Sequence, residues 1–98
     1  MLFMVVEHFR AGPGPVYGRA ALHGRMLPDG LEFIDSWIVD DERMDRCFQL
    51  VHTDDPALFD VWIERWRDLV DFEIIPVIQS EAAARKTNVT WTSTEPDE

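Results

Sequence analysis

The chain has 98 residues, which is enough for one small domain. Its composition, 46% hydrophobic with four Trp and six Phe, is that of a folded globular domain and excludes a disordered chain. The formal net charge of −10 argues against nucleic acid and anionic membranes as partners, because both carry negative charge and would repel the protein.

Three features favour a cytoplasmic protein. The single cysteine, Cys47, cannot form an intramolecular disulfide, so the fold does not depend on oxidation. No apolar run approaches the roughly 20 residues that a membrane helix needs. Residues 1–10 lack the basic start and the small-residue cleavage site of a signal peptide. We therefore expect a cytoplasmic location and no contact with a membrane.

The first half of the chain predicts a strand, a helix and a hairpin. Residues 2–9 are rich in aromatic and β-branched residues, which is typical of a strand. A helix begins at the prolines that follow and runs to about Leu27, because proline is tolerated in a first helical turn. Its predicted inward residues are Val16, Ala20, His23 and Leu27. Pro28-Asp29-Gly30 indicates a turn, and strands at 31–39 and 46–53 follow, joined by a charged loop.

The second half predicts a helix and an edge strand. Asp55 is expected to cap a second helix that has Pro56 in its first position. Apolar residues at helical spacing form its inward side: Leu58, Phe59, Trp62, Ile63, Trp66 and Leu69. The last strand, at 71–79, contains Pro76, which lacks a backbone donor and is therefore expected at the edge of a sheet.

The order strand–helix–strand–strand–helix–strand is typical of an α+β, ferredoxin-like βαββαβ sandwich. Its four-stranded antiparallel sheet has the order 4-1-3-2 and carries two helices on one face. We place this single domain at residues 1–80, and a short helix with a flexible acidic tail at 81–98. Trp91 in this tail is a candidate contact with a partner subunit.

Alternation along the strands sorts their side chains onto two faces. The face expected beneath the helices carries Leu2, Met4, Val6, His8, Phe33, Trp37, Phe48, Leu50, Phe72 and Ile74. The opposite face carries Val5, Ile34, Val51, Ile75 and Val77. This second face is also too apolar to remain in water, so we expect two subunits to pair through it as a homodimeric α+β barrel.

A polar row is predicted on this second face. It contains Ser36, Gln49, Glu7 and Glu73, one from each strand. Glu7 and Glu73 would then be neighbours and would repel each other unless they are hydrated or share a proton. A wet rim of the dimer interface is the simpler interpretation, a proton-sharing pair is the alternative, and a different register would separate them.

An aromatic pocket with one imidazole is the candidate binding site. Its predicted lining, between the sheet and the helices, is His8, Tyr17, Trp37, Phe48, Trp66 and Phe72. Such a pocket suits a flat organic molecule, and histidine titrates near neutral pH. The simpler alternative is an ordinary aromatic core with a hydrogen-bonded histidine. The spacing of Trp62 and Trp66 is that of core residues in either case.

The sequence offers little for metal, nucleophile or cofactor chemistry. His8, His23 and His52 lie on three different elements and lack the spacing of a helical metal site. Cys47 is expected to be buried on the face opposite His8, which disfavours a Cys–His nucleophile. The chain has no phosphate loop or dinucleotide fingerprint, so we expect no cofactor and no metal. The arginines expected on the solvated surface are Arg19, Arg25, Arg43 and Arg46.

Several segments resemble a known family. They include Gly24-Arg25-Met26-Leu27-Pro28, Asp45-Arg46-Cys47-Phe48-Gln49-Leu50 and Asp68-Leu69-Val70-Asp71-Phe72-Glu73. Over about residues 1–80 the chain is similar to a family of small bacterial proteins that is classed as a domain of unknown function and related in fold to the dimeric α+β barrels. That wider group includes quinone-forming monooxygenases, haem-degrading enzymes, muconolactone isomerases and ligand-sensing regulator domains. The resemblance implies a fold and no catalytic residues.

Three functional hypotheses remain. The first is a homodimer that binds a small apolar or aromatic ligand between sheet and helices. The second is a cofactor-independent monooxygenase or isomerase that uses His8, with Trp37 and Tyr17 as polar handles. The third is a protein-interaction module. A solvent-connected cavity that contains His8 would favour the enzyme, whereas a packed core around His8 would exclude it.

Overall fold

The computed structural model describes residues 1–89. They form β1 (Leu2–Phe9), α1 (Pro13–His23), β2 (Glu32–Ile38), β3 (Arg46–His52), α2 (Leu58–Trp66), β4 (Val70–Val77) and α3 (Ser80–Lys86). The strands pair antiparallel in the order β2-β3-β1-β4, which confirms the predicted α+β topology and the edge position of β4. Within these residues no helix has the length and apolar character to cross a membrane. Trp91 lies outside the described residues.

The inward stripe of α2 is confirmed. Phe59, Trp62 and Trp66 are buried, and the other predicted inward residues pack at the edge of the same core. Phe59 meets Phe3 of β1 edge to face at a centroid distance of 5.0 Å, and Trp62 contacts Phe72 of β4 at 5.5 Å. These aromatic contacts hold α2 against the sheet.

The start of α2 differs from the prediction. The helix begins at Leu58 and not at Pro56, and its N-cap residue is Ala57. The Asp55 carboxylate accepts a hydrogen bond from the Ala57 backbone N–H at 3.2 Å, in the turn before the helix. Asp55 therefore stabilises the approach to the helix, because its side chain bonds to the backbone two residues later.

Helix α1 is shorter than predicted and has few large side chains. It ends at His23, where Gly24 adopts a positive φ of 69° that stops the helix. Val16 is its buried residue and Ala20 is partly buried, whereas His23 is exposed and Leu27 belongs to the following loop. α1 therefore covers the sheet less completely than α2 does.

The helices cover a different face of β1 and β3 from the one predicted. Phe3, Val5 and Phe9 are buried beneath the helices, together with Cys47 and Val51 of β3. The assignment is wrong for Leu2, Met4, Val6, His8, Trp37, Phe48 and Leu50, which lie on the uncovered side. It is also wrong for Val5 and Val51, which were expected opposite the helices and lie beneath them. It is right for Phe33, Phe72 and Ile74 beneath the helices and for Ile75 and Val77 opposite them. The error arose because both faces are apolar, so alternation alone does not show which one is covered.

We call the uncovered side of the sheet the open face. Its residues are Leu2, Met4, Val6 and His8 of β1, Glu32, Asp35 and Trp37 of β2, Arg46, Phe48, Leu50 and His52 of β3, and Asp71, Glu73, Ile75 and Val77 of β4. A β-bulge between Phe33 and Asp35 shifts the phase of β2. Phe33 therefore faces the helices, whereas Trp37 lies on the open face.

The turn before β2 requires a glycine. The Leu31 backbone N–H donates to the Pro28 carbonyl at 3.1 Å, which closes the predicted turn at Pro28-Asp29-Gly30. Gly30 has a φ of 96°, and a Cβ at this position would lie 2.8 Å from Leu58 Cδ1 of α2. The backbone conformation therefore favours glycine, and a Cβ here would also force the end of the Leu58 side chain to move.

Gly30→Ala is expected to lower the free energy of unfolding by about 1–3 kcal/mol, because of backbone strain and the clash with Leu58. Gly18→Ala is the matched control, since Gly18 lies inside α1 with open space around its Cβ position. The free energy of unfolding of that control should rise by about 0.5–1 kcal/mol, because alanine has a higher helix propensity than glycine. Urea unfolding measures both values, and equal effects of the two substitutions would contradict this account of the turn.

Candidate functional site

A cavity of about 440 Å³ lies between α1, α2 and the covered face of the sheet. Its volume is in the range of small-molecule pockets. Apolar and aromatic residues line most of it: Phe9, Val16, Tyr17, Ala20, Ile38, Trp62 and Trp66. Polar groups line one side: Glu7, Arg25, Ser36, Cys47 and Gln49. A cavity therefore exists in the predicted layer between helices and sheet, but with a different polar lining.

A continuous hydrogen-bonded network forms the polar side. Arg25 Nε donates to Gln49 Oε1 at 3.2 Å, and Arg25 Nη2 donates to Ser36 Oγ at 2.9 Å. Gln49 Nε2 in turn donates to Glu7 Oε2. Arg25 also stacks over Phe33, with Cζ 3.8 Å from the ring centroid. The guanidinium is thereby held at the solvent edge of the cavity, and Glu7 lies at the buried end.

The chemistry of this network fixes the orientation of the Gln49 amide. A guanidinium only donates hydrogen bonds, so the amide oxygen of Gln49 must face Arg25. Its NH₂ group then faces Glu7, and Glu7 Oε2 must be an acceptor. No fully enclosed side-chain N or O atom of the described residues lacks a partner, so Glu7 Oε1 faces the space of the cavity. When Glu7 holds a proton, that proton is therefore on Oε1.

Helix α2 positions Arg25 through the backbone of the loop between α1 and β2. The indole N–H groups of Trp62 and Trp66 both donate to the Arg25 carbonyl oxygen, each at 2.9 Å. Arg65 Nη1 donates to the carbonyl of the next residue, Met26, at 2.7 Å. Spacing of i, i+4 places both indoles on one side of the helix. The predicted core tryptophans therefore also anchor the loop that carries Arg25.

Burial is the main cause of the raised pKa values of the ionisable groups in the cavity. It raises the pKa of Glu7 from 4.5 to about 7, against the opposing effects of the Gln49 hydrogen bond and the Arg25 charge. Burial and the nearby Glu7 raise the pKa of Cys47 to about 12, so this thiol is a poor nucleophile at neutral pH. Burial, Cys47 and Glu7 also raise the pKa of Tyr17. Glu7 is therefore a cavity group that titrates near neutral pH.

The structure brings together only part of the predicted aromatic site. Tyr17 and Trp66 line the cavity. Trp37 borders it, although its pairing with Phe48 places it on the open face, where it is 50% exposed. Phe72 lies on the covered face and packs against Trp62, outside the cavity lining.

His8 and Phe48 lie outside the cavity, on the open face. His8 is exposed at the end of β1, with Nε2 3.5 Å from Asp45 Oδ2 and Nδ1 3.7 Å from Asp71 Oδ2. The cavity between the helices and the sheet therefore does not contain the imidazole on which the enzyme hypothesis was built.

The predicted polar row is correct for three of its four members. Ser36 pairs with Gln49, and Gln49 bonds to Glu7, but on the covered face and not on the predicted open one. Glu73 pairs with Val6 on the open face. The predicted Glu7–Glu73 carboxylate pair is therefore wrong, because β4 pairs one residue out of the assumed register.

Two arginines that were expected to be solvated make specific contacts. Arg19 of α1 forms two hydrogen bonds to the Asp68 carboxylate, at 2.8 and 2.6 Å, and lies 5.4 Å from the Trp66 ring centroid. It therefore ties α1 to the end of α2, while Arg25 completes the cavity network.

Cys47 is buried on the face opposite His8, as predicted. Among residues 1–89, no group of three or more His, Cys, Asp or Glu is placed to hold a metal ion.

Comparison with known proteins gives a family and no activity. A family model described as Domain of unknown function (DUF3303) matches residues 1–89. No curated protein and no solved structure gives a significant match.

The raised pKa of Glu7 makes folding depend on pH. Because the folded chain holds this proton more tightly than the unfolded chain, the free energy of unfolding falls as pH rises from about 4.5 to about 7. At about 1.4 kcal/mol per pKa unit, the loss is roughly 3 kcal/mol. Glu7→Gln removes this charge, so its stability relative to the parent should rise by that amount across the same window.

Urea unfolding of parent and variant at pH 4.5, 6 and 8 measures this difference. Glu42→Gln, in the exposed loop between β2 and β3, is the matched control and should show no comparable pH-dependent gain. A constant difference between Glu7→Gln and the parent at all three pH values would show that Glu7 titrates normally.

Proposed function

We propose a function for this chain, which belongs to the DUF3303 family: it binds a small apolar or aromatic molecule and acts as a homodimer. The cavity between the helices and the covered face is the ligand site. The observation that carries this proposal is a volume of about 440 Å³ with aromatic walls on one side and a satisfied polar network on the other.

The composition of α1 supports a ligand in this space. Protein interiors are close-packed, and residues that line an empty cavity lose the dispersion contacts that neighbouring atoms would provide. α1 nevertheless directs only two short side chains toward the sheet, the buried Val16 and the partly buried Ala20, and both line the cavity. Tyr17, 46% exposed, stands at the cavity where an aromatic guest would reach solvent. A small molecule would supply the contacts that α1 does not make.

The open face supports pairing with a second copy. Eight of its residues are apolar: Leu2, Met4, Val6, Trp37, Phe48, Leu50, Ile75 and Val77. Four strands about 4.8 Å apart, with about eight residues at ~3.3 Å each, give a face of roughly 500 Å² in projection. Side chains expose more area than this projection, so the face approaches the ~800 Å² per partner of a stable interface.

A second copy suits this face for two further reasons. Its charged residues lie toward the ends and the edge and have both signs, for example Arg46, Asp71 and Glu73. A two-fold axis therefore allows acids of one subunit to face bases of the other. A domain of this size also buries little surface alone and gains stability by pairing.

The ligand site is tested by filling the cavity. Ala20→Trp places a large ring into it from α1 and should weaken binding of toluene at least tenfold. Ala21→Trp is the matched control, because Ala21 is exposed on the same helix and does not line the cavity. Toluene titration of ¹⁵N-labelled protein, followed at the indole N–H signals, measures binding. Far-UV circular dichroism checks that both variants fold. Equal toluene affinity in the two variants would place the site elsewhere.

The homodimer is tested by placing a charge on the open face. Val6→Asp should dissociate the dimer, because a dimer through this face would bury the carboxylate without a partner. Val61→Asp is the matched control, since Val61 is exposed on the outer side of α2. Sedimentation velocity at micromolar concentration should show a monomer for the first variant and a dimer for the second. A monomeric parent would contradict the proposal and favour a different protein partner for this face.

A further inference from the structure

The polar side of the cavity has many hydrogen-bond donors and few acceptors. Arg25 has five N–H groups, of which Nε–H and one on Nη2 are used within the network. Ser36 Oγ accepts from Arg25, so its own hydroxyl proton is free to donate. The Cys47 thiol and the Tyr17 hydroxyl are both protonated at neutral pH, since the pKa of each is raised. These groups favour a ligand that presents an acceptor.

Glu7 contributes to this pattern through its free oxygen. The Gln49 amide holds Oε2 as an acceptor, so a proton on the neutral carboxyl lies on Oε1 and points into the cavity. A buried carboxyl without a cation in direct contact favours its neutral form. In that form Glu7 is one more donor, deep in the cavity and beside its aromatic wall.

We propose that the ligand is a small aromatic or alicyclic carbonyl compound whose oxygen accepts a hydrogen bond from Oε1 of protonated Glu7. This inference rests on the proposed function and adds the chemical class of the ligand. The ring occupies the space between Tyr17, Trp62 and Trp66, and the carbonyl points toward the network. Arg25 and Ser36 offer further donors to a second oxygen on the same ligand.

Other ligand classes fit the cavity less well. An ammonium group needs acceptors and would lie near the positive charge of Arg25. A carboxylate could pair with Arg25, but its charge would have to leave water, within a protein whose net charge is already −10. A hydrocarbon would leave the donors of the polar side without partners. A neutral carbonyl compound meets none of these difficulties.

Binding of this class is linked to the proton of Glu7. The groups near Glu7 are Arg25 from the loop, Cys47 from β3 and Tyr17 from α1, while β4 and α2 contribute the uncharged Phe72, Trp62 and Trp66. The pKa of Glu7 is about 7, whereas the two neighbours that can lose a proton have raised pKa values. Affinity for a carbonyl oxygen should therefore be constant at low pH and fall as pH rises above about 7.

The experiment compares four single-ring probes on the full chain: acetophenone, benzoate, benzylamine and toluene. Titrations at pH 6 and pH 8.5 are followed at the indole N–H signals. Acetophenone should bind at least fivefold more tightly than the other three at pH 6. It should weaken roughly 10- to 30-fold at pH 8.5, as expected for a ligand that binds protonated Glu7. Toluene affinity should be the same at both pH values.

Three variants identify the group responsible. Glu7→Gln should retain acetophenone binding without its pH dependence. The Gln49 NH₂ group would still donate to the side-chain oxygen at position 7, which leaves the new amide NH₂ facing the cavity. Glu7→Leu should reduce acetophenone affinity to that of toluene. Glu42→Gln, in the exposed loop between β2 and β3, is the matched control and should keep the pH dependence of the parent.

Two results separate the two proposals. If benzylamine or benzoate binds best, or if the pH dependence of acetophenone survives in Glu7→Gln, the carbonyl inference is overturned while ligand binding stands. If none of the four probes, toluene included, binds the parent at either pH, both proposals are overturned.

Discussion

The carbonyl oxygen of Arg25, which accepts two indole N–H groups, is the contact on which the geometry of the cavity depends. Trp62 and Trp66 each donate to it at 2.9 Å, so a loop without regular structure is fixed to the rigid face of α2. That attachment places the Arg25 side chain against Gln49 and Ser36, and Gln49 then orients toward Glu7. The two core tryptophans therefore fix the position of Arg25, and through Arg25 and Gln49 they fix the hydrogen bond to the Glu7 carboxyl group.

Burial of the Glu7 carboxyl lowers the stability of this small domain, and other interactions must offset that loss. Glu7 is 4% exposed, and its pKa is raised mainly by burial. A hydrophobic residue at this position would pack with Phe9 and Trp66 and avoid desolvation. The Gln49 hydrogen bond reaches only Oε2 of Glu7 and does not restore the solvation that water would supply. A carboxyl retained under these conditions is typical of a functional site, since perturbed ionisable groups cluster there.

Much of the fold could be predicted from local pattern, because element type depends on spacing, turns and breakers. The bounds of β1, the inward stripe of α2 and the edge position of β4 all follow from nearby residues. The site was predicted only in part. The sequence pattern places Tyr17 and Trp66 near the cavity, but it favours His8 over Glu7, its neighbour in β1. Neighbouring side chains of a strand point to opposite faces. Assigning the wrong face of β1 to the helices therefore puts His8 in the predicted site and leaves Glu7 out of it.

The sequence by itself determined the order of elements, the topology that this order selects, and the grouping of Ser36, Gln49 and Glu7 on a common face. Only the tertiary structure decided which face the helices cover. Both faces of the sheet are apolar, and burying either one would be favourable because the hydrophobic effect is non-directional. The alternation of residues along the strands therefore does not show which face the helices cover. The contacts of α2 with Phe3 of β1 and with the Arg25 loop fix the covered face, and both join residues far apart in the chain. The cavity is a consequence of that long-range packing.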